Sequence, residues 1–308
     1  MRDRHALHSA QPALLAAQVC FGLFPVFGKL AMHEVGPRAL TALRIAVGAL
    51  VLGGLALLRD PRAFAAARRE WKRLLACSLL GIVLNQVLFL EGVHRSSALH
   101  AGLIVCTIPV FTYLIAASFG QERWSARRAA GIGIALAGCA WLVLARGTRG
   151  ASGSAPLTGD LLMVANCLLY SGYLVLSRPL LRSLPPLVLI AWAYALCVPW
   201  APFLYASAAP DYAELDALDW ASLAYVLVFP TVVAYLLISY ALARVSASTA
   251  AIYNYLQPLV AGLGAWWMLG ETPSAAAGVA AALLFAGIWL VTRDERGATT
   301  TAGTSPRP

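Results

Sequence analysis

Residues 96–125, "SSALHAGLIVCTIPVFTYLIAASFGQERWS", return in outline as residues 245–274, "VSASTAAIYNYLQPLVAGLGAWWMLGETPS". Each copy opens with serine and small residues, carries a proline inside an apolar run, and ends with a glycine and then a glutamate. A single offset of 149 residues also relates loops and helices outside these stretches. The further matched positions are Lys29 with Arg178, Pro37 with Pro186, Arg95 with Arg244 and Gly138 with Gly287. The sequence therefore predicts an internal repeat.

The composition indicates whether the repeats fold in water or in a membrane. The 308 residues are 60% hydrophobic and 12% charged, with a mean hydropathy of +0.73, whereas soluble domains are about 45–50% apolar and 25% charged. A membrane protein in contact with the lipid bilayer is predicted. The net charge of +9 does not indicate a nucleic-acid partner, because the basic residues lie between apolar spans rather than along one face.

Apolar segments long enough to cross a bilayer as helices, which takes roughly 20 residues, occur along the whole chain. Ten are predicted: Ala13–Met32, Ala39–Leu58, Leu74–Leu90, Ala98–Phe119, Ala129–Ala145, Leu161–Ser177, Leu187–Tyr205, Trp220–Leu242, Ala250–Leu269 and Ala275–Val291. Five per repeat is an odd number, so the two copies cross in opposite directions. The fold class is an all-α polytopic membrane protein with two inverted five-helix repeats, which is typical of alternating-access transporters.

The repeats divide the chain into four parts. Residues 1–145 form the first repeat, 146–157 a flexible Gly/Ser-containing linker, 158–292 the second repeat and 293–308 a disordered cytoplasmic tail. With both termini in the cytoplasm, most Lys and Arg residues fall on the cytoplasmic side and the acidic stretch "PDYAELDALDW" falls outside. The predicted location is therefore the cell (inner) membrane.

The stretches "FGLFPVFGK" at 21–29 and "ALRIAVGAL" at 42–50, together with the two opening stretches, resemble the EamA-type transporters of the drug/metabolite transporter superfamily. The resemblance implies a ten-helix fold that moves small metabolites, often outward and often amino acids. The chain departs from a symmetric pattern at two positions. Arg178 stands in the second copy where a lysine would match Lys29, and Ala193 stands where Arg44 lies in the first.

Polar side chains inside apolar spans are the candidate substrate-binding residues, because hydrocarbon offers amides no hydrogen-bond partner. In the ninth span, Pro258 removes a backbone donor and frees the carbonyl of Asn254. The first copy has Ile104, Val105 and Ile108 at the positions of Tyr253, Asn254 and Gln257, so the fold does not require this cluster. It lines a cavity or forms bonds between helices, and the cavity is the favoured interpretation.

Two more helices carry polar side chains at similar depth. All of the candidates are expected within about 10 Å of the membrane midplane, counted at 1.5 Å per residue. The substrate-binding candidates are Asn85, Gln86, Asn166, Tyr170, Tyr173, Tyr235, Tyr253, Asn254 and Gln257.

Charged residues near the spans give a second group of candidates. Arg44, six residues into the second span, is interpreted either as a partner for a substrate carboxylate or for Glu91, or as a structural anchor. Lys29, Glu91 and Arg95 lie near the same predicted outer ends and are candidates for a gate. Apart from Arg44 and Lys29 no charge is expected deep in a span. The lack of an evident mid-membrane acid favours a facilitator over proton coupling.

Glu122 and Glu271 look catalytic only out of context. Each follows a glycine-containing helix end and precedes a capping residue, Ser125 or Thr272, so both are expected to stabilise helix N-termini on opposite faces. The small-residue seams at 131–138 and 275–287 predict close helix packing, within the fold or at a homodimer interface.

Enzymatic chemistry is not expected. Ser152 lies in the linker, and the five histidines lie in the N-terminal tail or toward the predicted outer side, so no serine–histidine or aspartate–histidine pair marks an active site. The six cysteines form no CxxC pair, which argues against a disulfide framework and against a zinc site. No cofactor is predicted. The predicted function is a secondary transporter that exports a zwitterionic or neutral solute such as an amino acid. The alternatives are an importer or antiporter of the sugar or nucleotide-sugar type and, more distantly, an intramembrane enzyme.

Overall fold

The computed structural model describes residues 2–120, 125–144, 148–149, 154–207, 210, 212–242 and 253–301. Within these residues the chain is helical apart from turns and one short strand pair, as predicted. Each of the ten predicted segments overlaps a helical stretch.

The first half contains eight helices among the described residues: α1 Arg2–Ala31, α2 Pro37–Arg59, α3 Pro61–Ala67, α4 Trp71–Ser78, α5 Leu84–Arg95, α6 Ala98–Val105, α7 Ile108–Ser118 and α8 Ala126–Leu144. The second half contains seven: α9 Pro156–Leu180, α10 Pro186–Ala195, α11 Ala201–Ala206, α12 Ala217–Val228, α13 Ala234–Leu242, α14 Gln257–Leu269 and α15 Ala275–Thr301. Strand β1 (Thr148–Arg149) pairs antiparallel with strand β2 (Thr272–Pro273).

Several helical stretches contain a local change of winding. Short 3₁₀ turns precede α4, α11 and α14, at Arg68–Glu70, Val198–Trp200 and Tyr253–Leu256. A π-helical turn joins α4 to α5 at Leu79–Val83, and another joins α12 to α13 at Phe229–Val233. The two π turns fall at matching places in the two repeats, so both copies interrupt the same helix.

Seven stretches are long and apolar enough to cross a membrane: Ala10–Ala31, Pro37–Arg59, Pro61–Arg95, Ala98–Ser118, Pro156–Leu180, Pro186–Ala206 and Ala217–Ile238. Ala129–Leu144 and Ala275–Gly287 are shorter apolar helices. The protein is therefore a polytopic helical membrane protein. Ten crossings remain a prediction.

The contact between α8 and α15 establishes how the repeats are related. A Cβ atom added to Gly138 would lie 3.1 Å from the Leu284 nitrogen, and one added to Gly287 would lie 2.5 Å from the Ala135 nitrogen. These contacts are equivalent under the 149-residue offset, so a two-fold axis relates them. Because the higher number on one helix meets the lower number on the other, the helices run antiparallel. A two-fold axis that relates two antiparallel helices is perpendicular to both. It therefore turns one repeat upside down relative to the other, so the repeats are inverted.

The remaining contacts follow the same symmetry. Helix α1 packs against α13 and α14 of the second repeat, as α9 packs against α5, α6 and α7 of the first. Helices α2 and α10, which are equivalent under the offset, pack against each other. Proline begins both of them, at Pro37 and Pro186, where its missing N–H costs no hydrogen bond. The interior between the repeats is thus bordered by α1, α2, α5, α9, α10 and α13.

Three boundaries differ from the sequence predictions. Helix α15 continues to Thr301, so the described part of the predicted disordered tail is helical. Two residues of the predicted linker, Thr148 and Arg149, pair with Thr272 and Pro273. Helix α9 begins at Pro156 rather than near Leu161, because proline is favoured at the first position of a helix. This last correction places Asp160 inside a helix.

Candidate functional site

Arg44 is buried between the two repeats. Its side chain is buried, its Nε donates a hydrogen bond to Thr231 Oγ1 at 2.9 Å, and its guanidinium lies 4.1 Å from the centroid of the Phe24 ring. Phe24 belongs to α1 and Thr231 to the π turn before α13. One cation thus contacts both repeats, and the face of an aromatic ring stabilises its charge.

The π turn explains why a hydroxyl is available to Arg44. A π turn displaces the regular backbone bonds of a helix and occurs frequently at functional sites. Thr231 Oγ1 donates to the Val226 carbonyl five residues earlier, at 2.7 Å, and can therefore accept from Arg44. The distorted turn places a polar group in an apolar helix.

Tyr194 joins Arg44 to Gln86. The Gln86 Nε2 donates to the Tyr194 hydroxyl at 3.1 Å, and the Tyr194 and Arg44 side chains are neighbours. The Tyr194 ring lies over Gly48, one helical turn after Arg44, where an added Cβ would be 2.4 Å from a ring carbon. Only glycine leaves room for this ring, so the sequence of α2 positions the tyrosine beside the arginine.

Two polar atoms of this cluster have no hydrogen-bond partner among the described residues. They are Arg44 Nη1, a cationic donor, and Gln86 Oε1, a neutral acceptor, and both are buried. Buried polar atoms are usually satisfied, and each exception requires an explanation. An unused donor and an unused acceptor of this kind suit a ligand that carries both an anionic and a cationic group.

Aromatic side chains surround the polar pair. Tyr235 makes edge-on ring contacts with Phe21, at 5.7 Å between centroids, and with Tyr194, at 6.1 Å. The rings of Tyr170 and Tyr173 pack against each other at 5.5 Å between centroids, in the neighbourhood of Tyr194. Of the sequence-predicted residues, the structure brings Gln86, Arg44, Tyr170, Tyr173 and Tyr235 together around one buried region.

Other predicted binding residues instead join helices. Asn166 Nδ2 donates to the Asn85 carbonyl at 2.7 Å, and Asn85 Nδ2 donates to the Asn166 carbonyl at 3.5 Å. These reciprocal bonds hold α5 against α9. The equivalent positions in the other pair of helices are Ala17 of α1 and Ala234 of α13, which pack in one buried apolar cluster. Asn85 and Asn166 therefore fasten an interface between repeats.

The polar cluster of the ninth predicted span lies away from Arg44. Gln257 Nε2 donates to Gln18 Oε1 at 2.6 Å, and Tyr253 packs near Ala10 and Leu14 at the start of α1. Asn254 lies beside Tyr253 in the 3₁₀ turn before α14. Gln18 is one turn of α1 from Phe21, so the Gln18–Gln257 pair continues from the Arg44 region toward one end of the bundle.

The predicted gate residues form two separate ion-pair clusters at the other end. Lys29 pairs with Glu271 at 2.9 Å. Glu91 pairs with Arg38 at 3.0 Å and with Arg95, so it is not the partner of Arg44. The alternative in which Arg44 pairs with Glu91 is therefore wrong, because Glu91 pairs with two other arginines.

Glu271 stabilises a helix N-terminus, but a different one from that predicted. Its Oε1 accepts from the Ala98 N–H at 3.2 Å and its Oε2 from the Leu99 N–H at 2.9 Å, at the start of α6. The helix that follows it, α15, is capped by Ser274, whose Oγ accepts from the Ala277 N–H at 3.1 Å. Thr272, the predicted cap, lies in β2 instead. Glu122 lies outside the described residues.

The sequence analysis missed several buried polar residues. Tyr194 could have been noticed because it directly follows Ala193, the counterpart of Arg44. Thr231 and Gln18 carry no comparable signal. Asp160 directly precedes the predicted span Leu161–Ser177 and His100 is the third residue of the span Ala98–Phe119, yet both are buried and His100 Nδ1 lies 2.9 Å from Asp160 Oδ2. Asp160 therefore places an acidic side chain near one end of the span Pro156–Leu180.

Inverted repeats that enclose buried polar groups are typical of membrane transporters. The model of the EamA-like transporter family matches residues 9–144 and 157–293, one match for each repeat. The chain belongs to the EamA-like transporter family.

Relatives and a solved structure agree with this membership. An uncharacterized transporter of Archaeoglobus fulgidus is 27% identical over 88% of this chain and 92% of its own length. A protein of Streptantibioticus cattleyicolor described as a probable terminal-alkyne amino-acid exporter is 30% identical over 89% of this chain and 90% of its own. A crystal structure with 20% identity superposes with a TM-score of 0.65 and covers 93% of this chain and 98% of the other, which supports the fold.

Proposed function

We propose that the protein exports a zwitterionic amino acid with an apolar side chain across the cell membrane. The observation that carries this proposal is the pair of buried, unpartnered atoms among the described residues, Arg44 Nη1 and Gln86 Oε1. A guanidinium is the preferred partner of a carboxylate. A neutral amide oxygen accepts from an ammonium group without adding a fixed charge.

The proposed binding mode uses both atoms at once. The substrate carboxylate lies at Arg44 Nη1, while Arg44 Nε stays on Thr231. The substrate ammonium donates to Gln86 Oε1, while Gln86 Nε2 stays on the Tyr194 hydroxyl. The existing bonds keep both side chains in position before the substrate arrives, which reduces the entropy lost on binding.

The surroundings favour an apolar substrate side chain. Four tyrosines and two phenylalanines border the polar pair, and aromatic faces bind both apolar groups and ammonium ions. The outward direction is supported by similarity to the Streptantibioticus cattleyicolor protein, whose description names an amino-acid exporter.

The test is transport into and out of liposomes that contain the purified protein, with a panel of labelled neutral amino acids. Arg44→Gln removes a charged hydrogen bond worth about 1.5–3 kcal/mol, so the apparent affinity should fall about 10- to 100-fold. Amines that match these amino acids but lack the carboxylate should compete poorly with the substrate for binding to the wild type. In Arg44→Gln such amines should compete as well as the amino acids do.

Gln18→Leu is the matched control for Gln86→Leu. Both glutamines are buried, but the Oε1 of Gln18 already accepts a bond from Gln257. Gln86→Leu should weaken substrate binding, whereas Gln18→Leu should change the folding stability more than the affinity. Equal competition by amines and amino acids in the wild type would contradict the assignment. Efflux from preloaded vesicles tests the direction.

A further inference from the structure

A buried acid–base pair joins the two repeats at the end of the bundle that carries Lys29 and Glu271. Asp160 lies in α9 and His100 in α6, and their side chains are 2% exposed. The Nδ1 of His100 lies 2.9 Å from Asp160 Oδ2, and Ser96 Oγ donates to Asp160 Oδ1 at 2.5 Å. The substrate site around Arg44 does not use these groups.

The pair is continuous with the ion pair beside it. Lys29 Nζ donates to the Ser96 carbonyl at 2.7 Å and to Glu271 Oε1 at 2.9 Å. Ser96 therefore connects the Lys29–Glu271 pair to Asp160. Both pairs have one member in each repeat, so opening this end of the bundle would have to separate both.

The fold alone does not explain the pair. Under the 149-residue offset Asp160 corresponds to Gln11, and His100 corresponds to Thr249. Neither an amide nor a hydroxyl of this kind changes its charge with pH, so the other repeat has no equivalent titratable pair at the matching positions. The pair is a specific feature of one end of the transporter.

We propose that Asp160 and His100 form a proton-binding site whose occupancy controls whether this end of the bundle is closed. With a proton on both ring nitrogens, the contact is an ion pair between an imidazolium and a carboxylate. Without it, a neutral imidazole faces the same carboxylate. The protonated ring adds an attraction between opposite charges to this contact, and that attraction is stronger in a buried site than in water. Proton binding therefore strengthens the contact that closes this end.

The proton comes from the water at this end and returns to it, so no other reactant is required. The ion pair forms only when the two side chains are in contact, so the closed arrangement binds the proton more tightly than the open one. The pH therefore shifts the equilibrium between the two arrangements. Closure is favoured as the pH falls. Histidine suits this function because its charge changes between about pH 5 and 8.

Other titratable groups on the packed elements have to be separated from this effect. Those whose side chains the structure describes include Lys29 of α1, Lys72, Arg73 and Cys77 of α4, Glu91, His94 and Arg95 of α5, Tyr113 of α7, Cys139 of α8 and Glu271 after α14, with Cys106 after α6 and Cys167, Tyr170, Tyr173 and Arg178 on α9 itself. His100 and His94 are the histidines among them, and His94 is exposed.

The experiment measures the distance between spin labels at His94→Cys and Leu157→Cys, which are exposed positions in opposite repeats. The six native cysteines are buried, and the protein without added cysteines measures their background labelling. Protein in lipid nanodiscs is recorded between about pH 5 and 8. The fraction of long distances should rise with pH when His100 is present.

Two substitutions give opposite expected results. His100→Gln should show the long distances at every pH, because it cannot carry charge. His100→Lys should show the short distances at every pH, because its charge is permanent. His33→Gln is the matched control, since His33 pairs with Glu34 at 2.9 Å but is exposed, and the pH dependence should persist.

If the labelled protein that retains His100 gave the same distance distribution at every pH, the proposal would be overturned. This result does not depend on whether the variants at position 100 fold. An unchanged pH dependence in His100→Gln would overturn it as well. No substrate is needed, so failure here is distinguishable from failure of the amino-acid assignment at Arg44.

Discussion

Glu271 shows how much of the architecture one side chain can stabilise. Its carboxylate is 1% exposed, accepts the Lys29 ammonium and caps α6 through the N–H groups of Ala98 and Leu99. The negative charge at the start of α6 is favourable because the N-terminus of a helix carries a partial positive charge. The residue thus joins the second repeat to two helices of the first.

Glu271→Ala should lower the stability of the protein strongly. The substitution leaves Lys29, which is 13% exposed, without its carboxylate partner, and it leaves two backbone donors without an acceptor. Breaking a buried ion pair in this way costs about 3–5 kcal/mol. The midpoint of thermal unfolding in detergent measures the effect.

Glu70→Ala is the control for this prediction. Glu70 pairs with Arg73 at 3.2 Å, but both side chains are exposed, and such pairs contribute about 0–1 kcal/mol. Similar midpoints for the two variants would mean that the Glu271 pair is not a structural contact.

At the scale of elements, the crossing of α8 and α15 depends on glycines where the helices meet. The Cβ of a residue at Gly287 would lie 2.5 Å from both the Ala135 nitrogen and the Gly131 oxygen. Backbone atoms cannot move aside as a flexible side chain can. Small residues at such crossings let membrane helices approach closely, which is a main source of their association.

Gly287→Ala should separate α8 from α15 and destabilise the protein by about 1–3 kcal/mol, the usual cost of overpacking. Gly278→Ala in the same helix meets no atom within 4 Å. It should change the stability by less than about 1 kcal/mol, in the stabilising direction, because alanine favours helix more than glycine. Thermal unfolding of the two variants side by side tests the crossing, and equal effects would contradict it.

At the scale of the whole molecule, the inverted repeats place equivalent loops on opposite faces of the membrane. Phe119 ends the apolar run of α7 and Thr272 follows α14, and both are exposed. Two of the asymmetries between the repeats fall at the sites proposed above. Arg44 faces no second arginine because Ala193 replaces it, and the Asp160–His100 pair occurs at one end.

Cysteines introduced at these two positions should react from opposite sides of the membrane. A membrane-impermeant maleimide should label Thr272→Cys in intact cells and Phe119→Cys only after permeabilisation. Ala66→Cys, in the basic segment between α2 and α4, should behave like Phe119→Cys, because basic loops stay in the cytoplasm. Labelling of Phe119→Cys and Thr272→Cys from the same side would contradict the inverted arrangement.

Part of the site was predictable because charge and amide groups are conspicuous in apolar spans. Arg44 and Gln86 were predicted for this reason. Asn85 and Asn166 were predicted by the same reasoning, yet they bond to each other's backbone across α5 and α9. The sequence shows that a buried amide needs a partner, whereas the partner's identity depends on which helices are neighbours.

The sequence by itself determined the helical membrane class and the repeat, because both follow from local hydropathy and from a spacing along the chain. Only the tertiary structure decided that Tyr194 lies over Gly48, that Glu271 caps α6 and that Asp160 meets His100. These contacts join residues far apart in the chain, and they form only when the two inverted repeats pack together. Burial, not sequence position, then determines which polar groups need a ligand, an ion pair or a proton.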